Sequence, residues 1–230
     1  MLKIKQQKSS LPIYQQLIAS ELKVEHRLSL IDIALPHLAE MSKQDFDKFE
    51  LLLDHIINAD QKVDLFEWIL SAVVMHYLTP LYGKIKPPKS QYHHLNDVAK
   101  SCQIIFSALA LAGHSDPQQQ QQAFQAAATA AELEHLHLFS LEYLTPNLLN
   151  LALKELNKLY PLLKPLFLKS AIACIYADGK ITSNENELIR AIADTLDSDD
   201  VRALTPITKP TNAIPRVIST NFKIDFIILS

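Results

Sequence analysis

The sequence predicts an all-α fold, and three observations lead there. Only three glycines occur in 230 residues. That is far below a usual share of about 7%, so a turn-rich β architecture would lack its turn residues. Apolar residues recur at i, i+3, i+4 and i+7 over successive segments, which is the spacing of one helical face. Between these segments stand cap-type residues and prolines, the punctuation of helix ends. Hydrophobic residues make up 48% of the chain, enough to build a core.

The elements follow in order. Leu28, Ile31, Leu35 and Leu38 share a face over residues 28–40, and Pro36 should bend that helix. Ser42 with Asp45 forms a cap signal. It opens a helix whose stripe is Phe46, Phe49, Leu52, Leu53, Ile56 and Ile57, ending near Asn58. Asp64 caps the next helix, expected over 65–78 with Ile69, Ala72, Val73 and His76 on one face, until Thr79-Pro80 stops it. "YGKIKPPKSQYHH" reads as a linker, and its lysines as a solvated cluster.

Two further helices are expected over 95–112 and 116–133, the second starting at Asp116-Pro117. Gln118 to Gln122 should form its exposed face. The stretch "LEHLHLFSLEYLTP" is expected to be loop or a short strand-like segment. From Leu148 a stripe returns with Leu149, Leu153, Leu156 and Leu159. Pro161 opens a helix with Pro165 near its first turn; Leu168, Ala171, Ile172 and Ile175 carry its stripe. Thr182 or Ser183, with Glu185 as a capping-box partner, starts the last helix, which turns Leu188, Ile189, Ile192, Ala193 and Leu196 inward. From 198 onward, Pro206, Pro210 and Pro215 and the aperiodic "VISTNFKIDFIILS" predict either disorder or an apolar end with β tendency.

One corner occurs twice: "ADQKV" from Ala59 and "ADGKI" from Ala177. Aligning the copies pairs Phe49 with Phe167, Ile56 with Cys174 and Ile57 with Ile175, so an internal repeat of three-helix units is expected. The resulting division is an N-terminal extension (1–26), a first helical repeat (27–80), a linker with middle helices (81–147), a second repeat (148–197) and an irregular tail (198–230).

The corner invites a calcium reading, because "DGKITSNENE" looks like the second half of an EF-hand loop. Its first half would need ligands from Cys174 and Tyr176, and neither supplies a carboxylate to a hard cation. A structural joint explains more. Asp60 and Asp178 can accept backbone N–H groups in the turn, Val63 and Ile181 plug the core, and Gly179 supplies a positive φ. Glu132 with His135 is one metal-type pair where a di-metal bundle needs more. His93-His94 adjoins a linker. There is no His-Glu-x-x-His and no phosphate-binding glycine loop. Trp68 reads as a core or interface anchor. No cofactor and no catalytic residue are expected.

The formal net charge of −3 gives no bias toward nucleic acid. Cys102 and Cys174 sit in apolar surroundings and read as buried thiols of a reducing compartment. The N-terminus lacks the apolar region of a signal peptide, and no apolar run approaches the ~18 residues of a membrane span. A cytoplasmic location without direct membrane insertion is therefore expected.

"LIDIALPHLAEMSKQDFDKFELLLDHIINADQKVDLFEW" and "LLKPLFLKSAIACIYADGKITSNENELIRAIADTLD" resemble segments of the C-terminal region of bacterial membrane zinc metallopeptidases, the HtpX-like and CAAX-protease-like family. "FSALALAGHSDPQQQQQAF" is similar to the stretch between them. The second block also resembles the TerB-like helical module. The resemblance covers roughly residues 11–197 and excludes the zinc site and membrane spans, which lie upstream in that family. It implies a non-catalytic regulatory or interaction module that binds a protein partner, such as a membrane-embedded peptidase core. A free-standing TerB-like stress-response protein that binds a metal ion or a membrane-associated complex is the alternative. The interaction surface is expected at Asp60, Asp64, Glu67, Trp68, Asp178, Lys180, Glu185 and Glu187.

Overall fold

The computed structural model describes residues 27–57, 64–83 and 89–197, and among these the protein is all-α with no strand. Eight α-helices follow in order: α1 (Arg27–Ala39), α2 (Lys43–Ile57), α3 (Leu65–Tyr82), α4 (Ala99–Gly113), α5 (Pro117–Ala130), α6 (Pro146–Leu156), α7 (Lys164–Ile175) and α8 (Ser183–Thr195). Short 3₁₀ turns occupy Leu95–Val98, Leu141–Tyr143, Pro161–Leu163 and Tyr176–Asp178.

Helix α4 is the centre. Every residue from Ser101 to Ala110 is buried, because α3, α5, α6 and α7 all pack against it. Phe106 on α4 stacks on Phe167 of α7 with ring centroids 5.5 Å apart. Two polar side chains of this enclosed helix find backbone partners. Gln103 Nε2 donates to the His137 carbonyl at 2.6 Å, and Ser107 Oγ accepts from Phe139 N–H at 3.0 Å. These two bonds lay the 133–140 connection along α4. The connection is irregular, and it buries Leu133 while packing Leu136, Leu138 and Phe139 against the core.

The sequence-placed starts hold. Asp64 Oδ1 accepts from Phe66 and Glu67 N–H at 2.8 and 3.1 Å. Asp116 Oδ2 accepts from Gln119 N–H at 2.9 Å. Thr182 and Glu185 form the reciprocal capping box. Gln118, Gln119, Gln121 and Gln122 are exposed. The ends are less well placed. Helix α3 runs through Pro80 to Tyr82, because a proline in the last turn removes one backbone bond while Gly83 N–H still reaches Thr79 O at 2.9 Å. Helix α1 likewise continues through Pro36. The expected helix over 95–112 begins as a 3₁₀ turn, and the one over 116–133 ends at Ala130. Part of the expected linker is fixed: Tyr92 pairs with Leu159 in an isolated parallel bridge, with Gln91 N–H to Lys158 O at 2.8 Å and Tyr160 N–H to Tyr92 O at 2.9 Å.

The two blocks of the expected repeat take different environments. Helix α7 is enclosed by α4, α5 and α8, and Phe167 and Cys174 are fully buried. Its counterpart α2 packs on α3, and its one buried residue is Phe46, stacked on Tyr82 at 4.4 Å. Phe49 is half-buried, and Ile56, the partner of Cys174, is exposed. The Ala59–Val63 corner and the 198–230 tail lie outside the described residues.

Two expected outcomes test this architecture. Phe106→Ala should cost about 3–5 kcal/mol in denaturant unfolding, whereas Leu52→Ala should stay within about 0.5 kcal/mol. Native-state hydrogen exchange should protect α4 most and α2 least; equal protection of the two helices would contradict the described packing.

Candidate functional site

The second corner is built as a joint. Asp178 Oδ1 accepts from Lys180 N–H at 2.9 Å, Gly179 takes φ +79°, and Ile181 packs on the core. Asp178 and Lys180 are exposed, while Glu185 is half-buried. Glu185 Oε2 accepts from Thr182 N–H and Oγ1–H, both at 2.8 Å, so this side chain secures the start of α8. Across the molecule Asp64 and Glu67 are exposed at the start of α3. Asp60 lies outside the described residues.

Two members of the expected surface need correction. Trp68 is 1% exposed and donates from Nε1 to Asn150 Oδ1 at 2.7 Å, which pins α3 to α6. It is a core anchor. Glu187 is 3% exposed. Helix α8 packs against both α3 and α7, so its buried arc is wide enough to include the Glu187, Ala191 and Thr195 row.

Burial also sets the chemistry of the thiols. Cys102 and Cys174 are free and fully buried. Desolvation pushes the Cys102 thiol up to about 12. Burial first, and the Glu185 charge second, raise the Cys174 thiol. Neither supplies a thiolate near neutral pH. Among the described residues no group of three or more His, Cys, Asp or Glu side chains is placed to hold a metal ion, and no helix is long and apolar enough to cross a membrane.

Three polar or apolar assemblies stand out instead. The first is the outward face of α2. Leu51, Leu52 and Ile56 are 72%, 57% and 55% exposed. Leu52 and Ile56 are four residues apart, one turn along the same face. Along its length α2 carries Asp45, Asp47, Glu50 and Asp54 against Lys43 and Lys48, and the lysines pair with Asp47 and Asp45. The outward row is thus apolar, on a helix that carries more acidic than basic side chains.

The second is an open cleft of about 320 Å³ between the end of α5, the Leu95–Val98 turn and the start of α7. Leu95, Ala131, Leu163 and Leu166 supply apolar wall, and His94, Asn96 and Glu132 the polar groups. Glu132 has φ +58°. It fills the left-handed position of a helix-ending turn in which Leu133 N–H bonds Ala128 O at 2.8 Å, a position that favours glycine. A glutamate there costs about 1 kcal/mol or more.

The third is a pair of polar locks. Asn157 Nδ2 donates to Thr195 O at 2.9 Å, and Lys164 Nζ donates to Leu196 O and Asn157 Oδ1, both at 2.8 Å. They close the carboxyl end of α8, whose carbonyls would otherwise be unpaired. His76 Nε2 meets Asp197 Oδ1 at 3.0 Å just beyond it. At the other lock, Tyr92 O–H and Lys158 Nζ both donate to the Glu155 carboxylate, at 2.5 and 2.6 Å. The Lys158 bond, then the Tyr92 bond, hold the Glu155 carboxyl below its usual range. The Glu155 bond raises the Lys158 ammonium, and the same carboxylate raises the Tyr92 hydroxyl.

Sequence periodicity found none of these three assemblies. No sequence signal marked the cleft, because Glu132 after an alanine-rich run reads as one more helical residue.

Two measurements follow. Because the folded Glu155 carboxyl is depressed, its contribution is full above the ordinary carboxylate pKa of about 4.3 and lost as pH falls through the folded value. The melting-temperature difference between the wild type and Glu155→Gln should therefore be largest near neutral pH and shrink below about pH 4. Gly179→Ala should lower stability by about 1 kcal/mol through the positive φ alone, since a Cβ there meets no atom within 4 Å; Gly179→Asn should cost less. No family model, no curated protein and no solved structure matches this chain.

Proposed function

We propose that the protein is a non-catalytic helical interaction module whose α2 face receives a basic amphipathic helix of a partner protein. The single observation that carries this reading is the outward Leu51, Leu52 and Ile56 patch on an acidic helix. Apolar side chains at one-turn spacing match the anchors of a helix laid against a helix. The acidic surplus selects a partner with lysines or arginines flanking its stripe, and it would repel a second copy of the same face. Helix α2 is attached mainly through Phe46, so binding can adjust it without disturbing the α4-centred core.

The resemblance to the C-terminal region of membrane zinc metallopeptidases supports the same reading and suggests a membrane-embedded peptidase core as the partner, met on the cytoplasmic side. In that setting the chain contributes binding and leaves the chemistry to its partner. The exposed Asp178–Lys180 corner and Asp64 with Glu67 would serve as secondary polar contacts.

A synthetic amphipathic peptide of leucines and lysines is the probe, followed by fluorescence anisotropy at rising salt. Binding should weaken at least tenfold in the Leu52→Glu/Ile56→Glu double variant and fall as salt screens the acidic rim. Unchanged melting of that variant would show that the fold is intact. A peptide that binds the double variant as tightly as the wild type would remove the α2 face from consideration, as would a stable homodimer, detected by light scattering, that this variant dissociates.

A further inference from the structure

We propose that the cleft bounded by Glu132, His94 and Leu163 is a separate binding site for a small organic ammonium carrying an apolar group. Its volume, about 320 Å³, lies at the lower end of small-molecule pockets, and an apolar wall with a few polar groups is their usual lining. Leu95 and Ala131 are buried and form a fixed wall. Leu166 is 40% exposed and leaves an apolar edge open to a ligand.

The charge of the site points to a cation. Glu132 is an exposed acidic residue in the lining of the cleft, and none of the ion pairs among the described residues involves it. The end of α5 adds the negative pole of a fourteen-residue helix. The start of α7 borders the cleft with its positive pole, but only partial charge resides there. Lys164, which follows the lining residue Leu163, directs Nζ to Asn157 and Leu196 and so leaves Glu132 uncompensated. His94 stands at the same cleft, while its backbone N–H is held by Asp97 Oδ2 at 3.0 Å, which fixes the turn's position.

The backbone supplies an independent argument. Glu132 occupies a left-handed position at φ +58°, where glycine would remove the strain. Strain kept at a cleft that uses the strained side chain is the pattern of a functional position.

Benzylamine, protonated at pH 7, and benzyl alcohol, its neutral analogue, are the probes, titrated into the full chain and followed by ¹H–¹⁵N chemical shifts. Saturable shifts should centre on residues 94–96, 130–132 and 163–166, with the amine bound about tenfold more tightly than the alcohol, as expected for one charge-assisted contact. Glu132→Gln should abolish that preference. Glu132→Gly should lose it too while melting about 2–4 °C higher, which separates binding from folding. No saturable shift at these residues with benzylamine, or an amine preference that survives Glu132→Gln, would overturn the proposal. The Leu52→Glu/Ile56→Glu variant should bind benzylamine normally, so failure of one site leaves the other standing.

Discussion

Enclosure of α4 constrains the rest of the structure. Ten consecutive buried residues from Ser101 to Ala110 require apolar neighbours around the full circumference of one helix. Helices α3, α5, α6 and α7 provide them. The enclosure also explains why Gln103 and Ser107 of α4 are hydrogen-bonded. A buried amide or hydroxyl without a partner would cost roughly 1–3 kcal/mol, so Gln103 and Ser107 must be met by backbone groups. They are met by His137 O and Phe139 N–H. An irregular connection is thereby fixed where regular structure would not supply the bonds.

Helix α8 extends the same logic outward. It covers α3 and α7, and its carboxyl end falls where α6 and α7 begin or end. Asn157 and Lys164 donate to its terminal carbonyls, so burial of that end leaves the Thr195 and Leu196 carbonyls paired. Lys164 bears the cost of this role: desolvation lowers its ammonium from the usual range, and the nearby Asp197 charge partly restores it. Trp68 does the comparable job for α3, filling core volume and spending its one donor on Asn150.

The sequence was legible where one face meets the core and a cap marks the start. Helices α6 and α8 show this, with Leu149, Leu153 and Leu156 or Ile189, Ile192 and Leu196 inward, and Asp64, Asp116 and Thr182 as true caps. It was misleading where a helix contacts two neighbours or hardly one. Glu187 looks like a solvent residue by type, yet α8 is covered on two sides. Leu52 and Ile56 look like core by type, yet among the described residues α2 has too few neighbours to bury them. Periodicity reports which residues share a face; it cannot report how many faces are covered. The expected repeat meets the same limit, and its first corner lies outside the described residues. Matching letters gave matching helices, but Phe167 and Phe49 do not see the same surroundings.

The candidate sites lie where local rules and tertiary packing disagree. A globular domain keeps isolated apolar residues on its surface without consequence, but on α2 Leu51, Leu52 and Ile56 lie together on the outward side of an acidic helix. At the end of α5, a left-handed position is given to glutamate although the turn would be more stable with glycine. Each departure lowers stability or solubility locally, and neither is required by the α4-centred core. Natural proteins retain such departures mainly where binding depends on them.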